Sequence, residues 1–185
     1  MLHAKGDLVL MLDADGATKV DEISKFVNLI GKVREEFMRD DDNIIIIGSR
    51  NHLVEQVSSQ RDFFRKIPSL VNNIFVRYIV GIKDIKDTQC GFKLFTRTAV
   101  QNLFPKMHLN RWAFDVELLY LAQRYLPHKL YFYINYFYFR QKALVIEEPV
   151  NWQEISGGNL EIFSASVSFF RDYFALLTFY TLGIW

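Results

Sequence analysis

LVLMLDADGATKV, residues 8–20, carries five apolar residues straight into two carboxylates one residue apart, Asp13 and Asp15, and then into Gly16. The unbroken apolar run reads as a short strand over 8–12, buried on both faces as strands of a covered α/β sheet are. In open α/β sheets ligands sit outside the carboxyl ends of the strands, which is where the two aspartates would lie. Paired carboxylates there suit a hard divalent cation, Mg²⁺ or Mn²⁺, whose remaining positions go to phosphate oxygens and water. Gly16 would let the backbone turn sharply. The same residues also read as a capped turn, with Asp15 or Thr18 capping the next helix.

Working outward, residues 20–38 place Ile23, Phe26, Val27, Ile30, Val33 and Phe37 at the three-four spacing of an amphipathic helix. Acidic residues 40–42 close it, and 44–47 form a second continuous apolar strand ending in Gly48, Ser49 and Arg50. This alternation predicts a Rossmann-like, mainly parallel sheet flanked by helices. Residues 63–80 read as helix-rich. DIKDTQCGFKLFTRTAV (84–100) is polar, then strand-like, with a helix starting near Thr96; WAFDVELLYLAQRY (112–125) is an amphipathic helix with Phe114, Leu118, Leu121 and Ala122 on one side.

LYFYINYFYF, residues 130–139, has seven aromatics in ten and no alternation. It is too short to span a bilayer and would be an aggregation hazard if exposed. We read it as part of an insert over about 129–145, either a buried strand or a membrane-touching segment. The tail, 162–185, has an aromatic face interrupted by Arg171 and Asp172; an interfacial helix and a core helix are both consistent with it.

Charges nearly cancel (22 basic, 21 acidic), so no global field points to nucleic acid. The single cysteine, Cys90, excludes an internal disulfide framework and fits a reducing compartment. His3, His52, His108 and His128 lack ligand spacing and read as surface residues. Residues 1–7 carry His, Lys and Asp, so no signal-peptide core is expected there.

Two enzyme classes put paired aspartates after a strand. An aspartate-nucleophile phosphatase could use Ser49 as a second motif and Lys83 or Lys93 as its lysine. However, Ala17 breaks the signature spacing and no later strand ends in two aspartates. The other class is the metal-dependent GT-A-type glycosyltransferase. MLDADGATK, IIIIGSRNHL, QRDFFRKI, KDTQCGFKLFTRTA, NRWAFDVELLYLAQRY and PVNWQEI, in that order, closely resemble the dolichyl-phosphate β-glucosyltransferases. The resemblance covers about residues 1–125 and 150–155.

The resemblance implies an inverting transfer of glucose from UDP-glucose to dolichyl phosphate, giving dolichyl β-D-glucosyl phosphate for protein N-glycosylation. It implies work at the cytosolic face of the endoplasmic reticulum membrane. Asp13 and Asp15 match the metal pair, and Asp115 matches a functional acidic residue. Arg50 and Arg65 match acceptor-phosphate positions, with Arg61 a weaker match; Arg50 also reads as an ordinary exposed arginine. Gln89, Lys93 and Trp112 border the acceptor and sugar in this picture, although core packing is the better reading of Trp112, as of Trp152. A phosphate monoester has a second pKa of about 6 and needs no general base, so Asp115 could equally position the sugar or the acceptor. Glu117 reads as a solvated helix residue. The implied organisation is the C-terminal part of a GT-A domain over 1–160, followed by a surface helix over 161–185. Only seven residues precede the first strand, so the nucleotide-holding half is expected to be missing. A catalytically inactive, membrane-associated binding module is the corresponding alternative.

Overall fold

The computed structural model describes residues 1–37, 43–53, 74–82, 85–124, 143–153 and 162–185. Four strands, β1 (Leu8–Met11), β2 (Ile44–Ser49), β3 (Lys93–Thr96) and β4 (Leu144–Pro149), form one sheet in the order β1-β3-β2-β4. β2 is central and wholly buried, as its continuous isoleucines require. It pairs in parallel with β4, while β3 runs antiparallel to both β1 and β2. Three strands therefore share one direction and β3 opposes them, making the α/β sheet mixed where the sequence suggested mainly parallel pairing. The reason is where β3 starts. The chain enters it from the 85–92 loop at the edge where β1 and β2 end, so Lys93 lies opposite Met11 and Ile47.

Helix α1 (Ile23–Phe37) turns Phe26, Ile30 and Val33 into the core, and Phe26 meets Phe92 at 4.8 Å between ring centroids. Helix α2 (Arg97–Leu103) begins at its expected place because the Thr96 hydroxyl accepts from Ala99 N. The same oxygen accepts from Ile44 N at 3.1 Å, joining helix start to sheet. Helix α3 (Phe114–Arg124) departs from the amphipathic reading: every residue from Asp115 to Ala122 is buried, so it has no solvent face there. Helix α4 (Ile162–Thr181) packs Tyr173 and Leu176 on the core, with Tyr173 stacked on Phe75 of the π-helical segment Phe75–Val80.

β4 begins within the last residues of the span given to the expected insert over about 129–145. Residues 144 and 145 already belong to the sheet, and the whole of β4 pairs with β2. The segment 150–152 contributes only an isolated bridge, Trp152 to Thr18. Two glutamates and a proline in LVIEEP hide the strand, whose residues are at most half-buried. The tract 130–139 lies outside the described residues. Among the described residues no helix is long and apolar enough to cross a membrane.

Candidate active site

The directions of β1, β2 and β3 bring the ends of β1 and β2 and the start of β3 to one sheet edge. Asp13 and Asp15 lie just past β1 and are exposed. The Asp13 carboxylate rests against Gly91: a Cβ built on that glycine would stand 1.8 Å from Asp13 Oδ2, so any side chain there would have to displace the carboxylate. Asp15 does not cap α1. Its Oδ1 accepts from Ala17 N at 2.9 Å, with Gly16 at φ 78° supplying the turn, and the residue before the helical segment is Lys19, with no side-chain cap. The capped-turn reading gives way to a local aspartate turn. The turn is tied down by Gln153 N donating to Ala17 O.

Arg50 follows β2 and meets a residue that the sequence reading passed over. Its Nε and Nη2 donate to Oδ2 and Oδ1 of Asp87, each at 2.8 Å, and its backbone N donates to Oδ2 at 2.9 Å. Asp87 N in turn donates to Glu147 Oε1 of β4. The guanidinium also lies 5.6 Å from the Trp152 ring centroid, a cation–π distance. Burial opposes the Asp87 charge, but its bonds to Arg50 outweigh this and hold the carboxyl below its ordinary range. The Arg50 pKa moves up, the Asp87 contacts overcoming burial, with Asp13 adding to the effect.

Lys93, 0 % exposed, donates from Nζ to Cys90 O and, at 2.8 Å, to Asp115 Oδ1. Asp115 itself is pushed upward, burial outweighing Lys93, with the charges of Asp13 and Asp87 adding to the rise. Asp13, Arg50, Asp87, Lys93 and Asp115 thus form one electrostatic cluster. Arg50 pairs with Asp87 and Lys93 with Asp115, while Asp13 and Asp15 form no ion pair among the described residues. Nor, among these residues, do three or more His, Cys, Asp or Glu side chains gather as a metal cage. Two exposed carboxylates without an ion pair among the described residues, offering only oxygen, fit a hard cation that shares its shell with phosphate.

Gln89 is half-buried in the loop before β3. Cys90 is buried behind Gly48, whose built Cβ would come within 2.8 Å of its Sγ; burial raises the thiol's pKa, which suits packing rather than nucleophilic attack. Arg61 and Arg65 lie outside the described residues, as does the Trp112 side chain. Glu117 corrects the solvated-helix reading. It is 0 % exposed and accepts from the backbone N of His108 and Leu109 and from Tyr180 Oη at 2.9 Å. That network fastens α4 to the 107–109 segment, and His108, itself exposed, stacks on Trp185 at 4.6 Å.

Asp87 and Glu147 carried no sequence signal of their own. The polar run before β3 was the only hint of the first, and β4 had to be found before the second could be placed.

No family model matches the chain. Curated relatives align over its whole length: proteins named dolichyl-phosphate beta-glucosyltransferase from Dictyostelium discoideum (39 % identical), Drosophila melanogaster (40 %) and Homo sapiens (35 %). Each alignment covers 100 % of this chain and 50–51 % of the relative, so the chain spans about half the length of the proteins it matches.

Proposed function

The chain is homologous over its whole length to the dolichyl-phosphate β-glucosyltransferases, and on that premise we propose that it serves transfer of glucose from UDP-glucose to dolichyl phosphate. The observation that carries the reading is the Asp13–Asp15 pair, which forms no ion pair among the described residues and is set at one sheet edge with Arg50–Asp87 and Lys93–Asp115. Asp13 and Asp15 would hold Mg²⁺ or Mn²⁺, which when bound supplies the charge compensation a departing diphosphate needs. Arg50, fixed along one edge by Asp87, keeps Nη1 and the outer hydrogen of Nη2 for an acceptor phosphate. Arg65 is proposed as its companion on the same resemblance. The acceptor is already an anion near neutral pH, so Asp115 need not remove a proton. Lys93 occupies Asp115 Oδ1 and leaves Oδ2 to accept a hydrogen bond from a sugar hydroxyl. Gln89 and Trp112 are proposed as further acceptor or sugar contacts.

A lipid-linked acceptor is met at a membrane surface. Val167, Phe170 and Phe174, spaced three and four apart on α4, are exposed apolar residues that would lie on such a surface. The proposed place of action is the cytosolic face of the endoplasmic reticulum.

The test is a titration of UDP-glucose with and without Mn²⁺, followed by a transfer assay to dolichyl phosphate. In a protein of the relatives' full length that contains these residues, metal-dependent binding and UDP release that requires dolichyl phosphate are expected. Metal-independent affinity would remove the Asp13–Asp15 assignment. Phosphate release from a generic monoester would point to the phosphatase chemistry instead.

A further inference from the structure

Asp87 grips the Arg50 guanidinium by one edge, its two carboxylate oxygens accepting from Nε and Nη2 at 2.8 Å each. Two such bonds define a line, so the flat group can still tilt about it and swing Nη1 away from an incoming anion. A contact off that line is what fixes a plane. The Trp152 ring supplies one, with its centroid 5.6 Å from the guanidinium carbon. We propose that Trp152 is a positioning residue, whose indole face fixes the plane of the Arg50 guanidinium and so aims Nη1 at a phosphate. The proposal rests on the phosphate-binding role given to Arg50 above and adds what orients the group.

Three observations carry it. The first is that Trp152 is itself anchored. It belongs to a strap, residues 150–153, that leaves β4 and is tied at each residue. Val150 N donates to Ser49 O at 3.2 Å, at the end of β2. Asn151 Nδ2 donates to Glu22 Oε1 at 2.8 Å, just before α1. Trp152 bridges to Thr18, and Gln153 N donates to Ala17 O at 2.9 Å. The indole is thus referenced both to the strand that Arg50 follows and to the turn that carries Asp15. A loosely held ring would orient nothing.

The second observation is the chemistry of the contact. Each carboxylate paired with an arginine weakens its attraction for phosphate, and Asp87 is already one. Another carboxylate would fix the plane at the expense of that attraction. An aromatic face holds the cation through its quadrupole and brings no net charge. The flat guanidinium suits such a face as an ammonium does not. The third observation is placement. Trp152 is only half-buried, packed in part against the core and in part over Arg50. Packing alone asks for an apolar side chain of this size, not for a π face turned to a cation.

The experiment follows the Arg50 Nε–H signal by nuclear magnetic resonance in the 185-residue chain, assigned by its loss in Arg50→Ala. Butyl phosphate is the titrated probe. Trp152→Phe and Trp152→Leu are compared with the wild type after circular dichroism confirms that each is folded. Where the leucine variant does not fold, Trp152→Met takes its place. The indole should displace the wild-type signal upfield and slow its exchange with solvent. Both effects should decline in the order Trp, Phe, Leu, because tryptophan is the strongest of the cation-binding rings and leucine has none. Affinity for butyl phosphate should decline in the same order, by roughly two- to fivefold for leucine. Adding Trp152→Leu to Arg50→Ala should cost no further affinity, since the indole acts through the guanidinium. Phenylalanine and leucine variants that behave alike would make Trp152 a packing residue and overturn the proposal. So would a full further loss in the double variant. A signal graded as expected, beside a butyl phosphate affinity that Arg50→Ala leaves unchanged, would sink the phosphate role of Arg50 and leave its orientation by Trp152 standing.

Discussion

Asp115 and Lys93 illustrate what a single residue's neighbours decide. Lys93 is fully buried, so Asp115→Asn would strand its charge. Breaking such a pair costs about 3–5 kcal/mol, whereas replacing both partners by apolar residues is often neutral. Urea denaturation should therefore show a large loss for Asp115→Asn and recovery in Lys93→Met/Asp115→Leu; equal stability of single and double variants would refute the pairing. Asp87 adds a pH signature. Its folded pKa is depressed, so its stabilisation is present above the unfolded value of about 4 and lost as pH falls through the lower folded value. The stability gap between wild type and Asp87→Asn should be full at pH 7 and close in stronger acid. Glycines give a further contrast. Gly91→Ala must displace the exposed Asp13 carboxylate and should abolish metal-dependent sugar-nucleotide binding in a folded protein. Gly31→Ala meets nothing within 4 Å in α1 and should stabilise by about 0.5–1 kcal/mol. Asp13, Asp15 and Arg50 were legible because each ends an apolar run. Asp87, Gly91 and the Lys93–Asp115 pair were not, because their roles arise only when β3 folds back antiparallel between β1 and β2.

Elements were readable where one face alone is buried. In α1 the inward Phe26, Ile30 and Val33 recur at helical spacing, and the helix appears where that spacing puts it. In α3 burial on all sides removes the contrast on which periodicity depends, and it conceals Glu117 as a structural acceptor. β4 failed for the opposite reason: its residues are only half-buried, and Glu147 serves Asp87 from within the strand. The Glu117 network is itself open to test. Tyr180→Phe removes one donor from a buried carboxylate, a change worth about 1–3 kcal/mol, and should loosen α4 from the 107–109 segment. Burial and Glu117 both push the Tyr180 phenol's pKa up, so it remains a donor well above neutral pH. Hydrogen exchange in α4 should therefore rise in the variant while β2 stays protected. Uniform acceleration across both would mean that the bond supports the whole fold rather than one helix.

At the scale of the molecule, the outer face of α4 raises a question that single residues do not. Its inner side packs Tyr173 and Leu176 into the core, yet Val167 is 56 % and Phe174 71 % exposed on the other side, with Phe170 between them. Leu182 and Ile184 extend the apolar exposure beyond the helix. The helix brings little net charge to that face, because Arg171 is paired with the adjacent Asp172. If the stripe lies on a bilayer, binding should come from apolar burial and not from attraction to anionic lipid. The chain should then float with neutral phosphatidylcholine vesicles, and raising the salt concentration from 0.1 to 0.5 M (on the order of a twofold shorter screening length) should change the bound fraction little. Val167→Asp/Phe174→Asp should abolish flotation without unfolding the protein, since both side chains already face outward. Flotation that survives the double variant would assign membrane contact to another surface. Flotation that requires anionic lipid and disappears in salt would point to a basic patch such as the one holding Arg77 and Lys86.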